Sequence, residues 1–196
     1  YECKWESYQI GYTGSNLVYG NRTSSNSWAL TVFNDVGEYT SIDIDSDGRA
    51  HISYYEPENM DLKYTYNTGT TWNVQTVDST GNVGKYSSLR LDDQDNPHIS
   101  YYDADSKKLK YAYYDGTSWN IESVDSSSNI GEHSTLDLDS SNNPRIAYYD
   151  AQNTALKYAE WTGSDWNIST VDSTGNVGSY ASIRIDTNGY PHISYF

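Results

Sequence analysis

Ser41-Ile42-Asp43-Ile44-Asp45 returns as Ser88-Leu89-Arg90-Leu91-Asp92, Thr135-Leu136-Asp137-Leu138-Asp139 and Ser182-Ile183-Arg184-Ile185-Asp186, each copy 47 residues after the last. A fixed period of that size points to a repeat architecture, so every other feature is read within it. Working outward from this segment, A, three more columns repeat. Segment B is His51-Ile52-Ser53-Tyr54-Tyr55, then His98 to Tyr102, Arg145 to Tyr149 and His192 to Phe196. Segment C is Leu62-Lys63-Tyr64, Leu109-Lys110-Tyr111 and Leu156-Lys157-Tyr158, with a degenerate copy at Leu17-Val18-Tyr19. Segment D opens on Trp72, Trp119, Trp166 and Trp28.

All four segments are short, rich in Ile, Val, Tyr, Trp and Thr, and alternate apolar with polar residues, which predicts strands. The A to B connections end on Gly48, Asp95, Asn142 or Gly189, residues that tolerate positive φ in a tight hairpin. Gly69, Gly116 and Gly163 mark the C to D turns. One repeat is therefore a four-stranded antiparallel meander, the pattern of a β-propeller blade. The frame is offset: the chain runs C and D, three whole repeats, then A and B. This predicts one all-β domain over residues 1–196, a four-bladed propeller with repeats at about 38–84, 85–131 and 132–178. Residues 179–196 and 1–37 would share the closing blade, which removes exposed sheet edges. Ser7-Tyr8-Gln9-Ile10-Gly11-Tyr12 resembles a further B strand, the alternative being a larger propeller. In the innermost segment A, the column Asp43, Arg90, Asp137, Arg184 alternates acid and base, predicting a ring of ion pairs that fixes blade order.

Composition limits function. The 196 residues carry 27 acidic and 12 basic side chains, a net charge of −15. Phosphate backbones are bound by releasing counterions to Lys and Arg, so nucleic acid is not an expected partner. No apolar run is long enough for a membrane span, and the sequence from Tyr1 lacks a leader pattern. With one cysteine, Cys3, neither an intrachain disulfide nor a cysteine zinc site is expected. The 21 Tyr and 6 Trp against 36% apolar residues predict a core built largely of tyrosine.

The motifs PHISYYD (Pro97 to Asp103), LKYA, GTSWN and TVDSTGNVG resemble the tandem propeller repeats of secreted or surface-exposed prokaryotic proteins over nearly the whole chain. That resemblance implies an extracellular scaffold without a defined activity. Asp115-Gly116-Thr117-Ser118-Trp119 distantly resembles the Asp-box turn of sialidase-like propellers, which is structural even in enzymes; Thr68 and Thr162 replace its Asp in the other copies.

Candidate sites follow the columns. A glycosidase needs two carboxylates at a set separation, yet the acids here recur blade after blade, whereas a catalytic site is unique. An enzyme would show one asymmetric pocket, over the degenerate segment Leu17 to Phe33 beside Asn34-Asp35. The rim of D to A and B to C connections gathers Tyr39, Tyr86, His133 and Tyr180 with Asp78, Asp125 and Asp172, and with Glu56, Asp103 and Asp150. Aromatic faces beside carboxylates suit sugar recognition, and the same residues also suit blade wedging and turn capping. The main expectation is a non-catalytic scaffold for protein or glycan partners or for self-association; the alternative is a multivalent lectin. His51, His98 and His192, with Arg145 in the same column, are expected to lock the A to B hairpin rather than bind metal. Asp43, Asp45 and Asp47 resemble the start of a calcium loop, but its twelfth position is Tyr54 instead of Glu, so no cofactor is expected and calcium is the one candidate. Asn21 and Asn167 match the glycosylation pattern.

Overall fold

A computed structural model describes residues 16–24, 27–127 and 129–196, with the backbone alone for 34–36. Cys3, the Tyr8 segment and the side chains of Asn34 and Asp35 lie outside the described residues. Strands β1 (Asn16–Ser24) and β2 (Ser27–Val36) form a hairpin. Three four-stranded antiparallel blades follow: β3–β6 (Glu38–Ile44, Ala50–Glu56, Asp61–Asn67, Trp72–Asp78), β7–β10 (Val83–Leu91, Pro97–Asp103, Lys108–Tyr114, Trp119–Asp125) and β11–β14 (Ile130–Leu138, Pro144–Asp150, Ala155–Trp161, Trp166–Asp172). A second hairpin, β15 (Ser182–Ile185) and β16 (Pro191–Ser194), ends the described chain. Segments A to D are thus the successive strands of each blade, and Gly48, Asp95, Asn142 and Gly189 have φ of 80°, 62°, 62° and 84° in their hairpins.

The core lies between blades. Leu62, Tyr64 and Val77 of the first blade pack with Val83, Leu89, Ile99 and Tyr101 of the second, and the same columns meet between the second and third. Tyr54, Tyr101 and Tyr148 are fully buried, which makes tyrosine a core residue as its abundance predicts. Its hydroxyl needs a partner there, because an unpaired buried hydroxyl costs about 1–3 kcal/mol. Tyr101 Oη donates to Asp78 Oδ2 (2.7 Å) and Tyr148 Oη to Asp125 Oδ2 (2.8 Å), each across a blade boundary. Lys110 Nζ and Lys157 Nζ reach the same oxygens at 2.7 and 2.8 Å.

The inner strands are laced together by side chains that accept backbone N–H groups of the next blade. Ser41 Oγ accepts Leu89 N (3.0 Å), Asp43 Oδ2 accepts Leu91 N (2.9 Å), Ser88 Oγ accepts Leu136 N (3.0 Å) and Asp137 Oδ2 accepts Ile185 N (2.7 Å). This corrects the ion-ring expectation. Among the described residues only Arg90 and Asp137 of that column pair, at 3.1 Å; Arg184 Nη1 donates to its neighbour's carbonyl, Ile183 O, and Asp43 serves the backbone.

The composite closing blade is likewise not formed among the described residues: β1 pairs only with β2, and β15 only with β16. Both hairpins stack on the blades beside them as the offset frame requires, with Tyr19 and Phe33 against Trp72 and Ile183 against Ala147 and Leu156. Ile42 is 50% exposed where its equivalents Leu89 and Leu136 are at 0%. The column count numbers the strands, but the rotation from blade to blade is set by how interface side chains wedge, which a count does not contain.

Gly84 and Gly131 lie at the start of β7 and β11 and Gly178 in the segment before β15, with φ of 109°, 102° and 109°. A Cβ at Gly131 would lie 2.7 Å from Leu109 Cα, a backbone atom that cannot turn aside. Gly131→Ala is therefore expected to destabilise the protein by at least about 2 kcal/mol through combined strain and clash, read as a lowered urea midpoint. Gly116→Ala is the control, since nothing lies within 4 Å of its added Cβ and only the strain of φ 90° remains.

Candidate functional site

The seams between blades open into a cavity that occurs twice. Between the second and third blades, a space of about 320 Å³ is lined by His98, Tyr111, Tyr113 and Glu122 on one side and by Asn142, Asn143, Pro144 and Trp161 on the other. Between the first and second blades the lining is His51, Tyr64, Tyr66 and Gln75 against Asp95, Asn96, Pro97 and Tyr114, around about 180 Å³. Each residue of one set is the counterpart, one 47-residue repeat away, of a residue in the other. The site is a property of the repeat, built from strands B, C and D of one blade and the A to B hairpin and strand C of the next.

Alternation along a strand explains the lining. Tyr111 and Tyr113 sit two apart on β9 and share one face, stacked at 5.8 Å and 25°, with His98 of β8 stacked on Tyr113 at 6.1 Å and 24°. Trp161 approaches from the next blade, held edge-on by Trp166 at 5.5 Å. Trp166 Nε1 donates to Glu122 Oε1 (3.2 Å), as Trp119 Nε1 donates to Gln75 Oε1 (3.0 Å). One carboxylate oxygen of Glu122 is thereby fixed while the group stays at the cavity wall.

The histidines anchor the back of each cavity. His51 Nε2 faces Asp45 Oδ2 at 3.3 Å and His98 Nε2 faces Asp92 Oδ2 at 3.6 Å, both across the A to B hairpin, which is the locking role their column suggests. With the Nε2 proton turned to the carboxylate, Nδ1 is an acceptor, and the Tyr64 and Tyr111 hydroxyls donate to it. Burial holds the His98 imidazole below its ordinary pKa against the opposing pull of Asp92, so the ring is neutral at pH 7. Burial pushes the Tyr64 and Tyr111 phenols far up, so they remain protonated donors.

The third seam carries different chemistry. Arg145 and Glu160 stand where the other seams have histidine and tyrosine, and they pair at 2.8 Å while Arg145 Nη2 also reaches Asp139 at 2.7 Å. An aromatic wall is replaced by an ion pair.

No protein-family model matches the chain, and no curated protein does. Solved structures do. The Aleuria aurantia lectin AAL, in complex with Fucα1-6GlcNAc, aligns with a TM-score of 0.58 at 18% identity over 83% of this chain and 55% of its own. AofleA from Arthrobotrys oligospora aligns at 0.55 with 16% identity over 91% and 51%. A PL25 ulvan lyase bound to -[GlcA(1-4)Rha3S]- aligns at 0.52 with 10% identity over 79% and 48%. The all-β, propeller-like fold is shared with these lectins and with the lyase. This chain spans about half the length of each of the three, and at these identities the likeness concerns the fold alone.

Most acids expected on the opposite rim are occupied within the protein. Asp78 and Asp125 are the buried tyrosine and lysine partners described above, and Asp172 accepts Tyr195 Oη at 2.9 Å. Glu56, Asp103 and Asp150 are buried and cap their own B to C turns, Glu56 Oε1 accepting Glu58 N at 2.8 Å and Asp150 Oδ1 accepting Asn153 N at 2.9 Å. A carboxylate in a turn reads as exposed in sequence; here turn N–H groups or a neighbouring blade's phenol fill it. The aromatic column does come together, with Tyr39, Tyr86, His133 and Tyr180 around one shallow cup. Asp43, Asp45 and Asp47 do not converge: Asp45 accepts Arg49 N (2.7 Å) and Asp47 pairs with Arg49 (2.9 Å), and no group of three metal-ligating side chains occurs among the described residues. Asn21 and Asn167 are exposed, the latter donating to Glu160 Oε1 at 2.9 Å. At the distant Asp-box likeness, Asp115 accepts Thr117 N and Ser118 N, both at 2.9 Å, as a turn clamp. The seam pockets escaped the sequence reading because their two halves come from different repeats; the available signal was the paired aromatics flanking each LKY motif.

Burial alone would raise the Asp78 and Asp125 carboxyls, but the lysine, the turn N–H and the tyrosine hydroxyl outweigh it and hold both below the usual carboxylate range. Their contribution to stability is present above the unfolded-state pKa of about 4 and is lost as pH falls through the lower folded value. Acid titration of the melting temperature is expected to show this loss below about pH 4. Asp125→Asn should lower stability by about 2 kcal/mol at pH 7 and flatten the acid limb.

Proposed function

We propose that the chain is a non-catalytic, extracellular carbohydrate-binding module that seats one sugar unit in each open blade seam. The observation that carries this reading is the duplicated cavity, with stacked tyrosines and a Trp or Tyr on opposite walls and a Glu or Gln beside amide and imidazole groups. Sugar rings present C–H faces to aromatic walls and hydroxyls to such acceptors, and an aromatic contact contributes about 0.5–1.5 kcal/mol. The likeness in fold to AAL, whose structure contains a fucosyl disaccharide, supports the choice of ligand class. Two sites at a fixed spacing on one rigid body favour branched or repeated glycans, for which avidity exceeds single-site affinity.

The non-catalytic part of the reading rests on chemistry. Glycoside cleavage by the usual route requires an acid and a second carboxylate across the scissile bond. The larger cavity is lined by one carboxylate, Glu122, already hydrogen-bonded to Trp166, and the smaller has Gln75 in its place, with the Asp95 carboxylate bound to Ser46 N and Oγ at 2.9 and 2.5 Å. An extracellular setting accords with the repeat's resemblance to secreted propellers, and no described helix is long and apolar enough to cross a membrane.

Glycan-array screening followed by calorimetry on the best hit tests this. Trp161→Ala is expected to weaken binding roughly tenfold at the larger seam, and combining it with Tyr114→Ala should abolish retention on the array. No retained glycan across a broad array, or binding indifferent to both substitutions, overturns the proposal.

A further inference from the structure

The aromatic column on the opposite rim forms a continuous arc. Tyr39, Tyr86, His133 and Tyr180 follow one another with centroid separations of 4.6, 4.5 and 4.3 Å, each ring tilted about 50° to the next. All four residues hold a left-handed backbone, with φ of 51°, 54°, 53° and 54°. For bulky aromatic residues that conformation costs of order 1–3 kcal/mol each, and such strain persists only where its surroundings impose it. Ser87 Oγ donates to Tyr39 O (2.7 Å) and Ser134 Oγ to Tyr86 O (2.9 Å), which ties the strained carbonyls to the next blade. The rings line a shallow cup of about 320 Å³ with Thr40, Ser87, Ser134 and Ala181, and Tyr180 is 75% exposed.

The charge around the arc favours a cation. The protein carries a net charge of −15, and Glu38 and Glu132 directly precede Tyr39 and His133. The one cation in that column, Lys85, already sits over the ring of Tyr55 at 5.3 Å, and Tyr55 packs against Tyr39 at 6.3 Å. Tyr86 stays neutral, its phenol pushed up to about 12 by burial and by Tyr39 and Glu132. No carboxylate lines the cup, and the Ser87 and Ser134 hydroxyls are each engaged twice, donating to a backbone carbonyl and meeting Ser53 Oγ and Ser100 Oγ at 2.9 and 3.1 Å, so the cup offers a primary ammonium few acceptors in exchange for its water. A quaternary ammonium needs none and is held on π-faces. We propose that this arc is a second site, separate from the blade seams, that binds the quaternary ammonium group of a small organic ligand.

Calorimetric titration with choline and with its neutral isostere 3,3-dimethylbutan-1-ol, on the full chain, tests the proposal. Choline is expected to bind at least about tenfold more tightly than the isostere, the cation–π part of the affinity. Tyr180→Ala, which removes an exposed ring and little packing, should weaken choline about threefold or more. His133→Arg, which places a fixed positive charge in the arc, should abolish binding; His133→Tyr, which completes the tyrosine run, should preserve or tighten it. Trp161→Ala should leave choline binding unchanged, which keeps this result independent of any glycan result. Equal affinity for choline and isostere, no choline binding, or a Trp161→Ala loss as large as that of Tyr180→Ala overturns the proposal.

Discussion

A phenol of one blade donating to a carboxylate of the blade before it is the contact on which the architecture depends. Tyr101 on Asp78 and Tyr148 on Asp125 bury a large aromatic side chain completely while giving its hydroxyl an ionised acceptor, and a lysine from the next strand neutralises that acceptor. Hydrogen bonds to charged groups contribute about 1.5–3 kcal/mol, roughly twice the neutral value. The clamp explains how a chain with 36% apolar residues makes a buried core. Tyrosine supplies the area that leucine or isoleucine would, and the cost of its oxygen is met at the seam. It also explains why the acids repeat, since each blade must present one to its successor.

The clamp divides the surface into regions with different freedom. Near it, turns are tied by Glu56, Asp103 and Asp150, and the lacing of Ser41, Asp43, Ser88 and Asp137 to backbone N–H groups leaves those side chains unavailable to a ligand. Farther out along the seam, contact passes to strand C and to the hairpin of the next blade, where packing is incomplete and a cavity opens. A seam is therefore held shut at one end by an ionised clamp and is open at the other. In the third seam Arg145 and Glu160 form an ion pair where the other seams have histidine and tyrosine, and Asp172 still accepts Tyr195 Oη.

Most of the strand plan was legible in the sequence because it is local. Alternation, the Trp at the start of each D segment and the Gly, Asp or Asn of each hairpin depend on neighbours a few residues apart, and the positive φ at Asp95 and Asn142 follows from turn chemistry alone. The fate of the acids was not legible, because Asp78 meets its phenol 23 residues later and in another blade. The composite blade was not legible in the same way: the offset frame places a half-blade at each end, and among the described residues β1–β2 and β15–β16 do not pair with each other, a contact between the two ends of the chain that no local pattern records. The aromatic arc was read as a surface from its column, and its left-handed backbone became visible only in three dimensions.

Comparing the repeats with one another separates structure from specificity. The carboxylate–phenol contact recurs in three seams: Asp78, Asp125 and Asp172 each accept a tyrosine hydroxyl. Three cavity positions do not recur unchanged, for Gln75 becomes Glu122, Asp95 becomes Asn142 and Tyr114 becomes Trp161. At the open end water can replace a hydrogen bond that a substitution removes. A change of Glu122 alters what the cavity accepts and leaves the blade contact intact, whereas a change of Asp125 strands a buried phenol and an ammonium together. On the proposed reading, the repeat varies its ligand chemistry at the open end of a seam whose closed end it keeps, and differences between the two cavities point to the residues that would select a ligand.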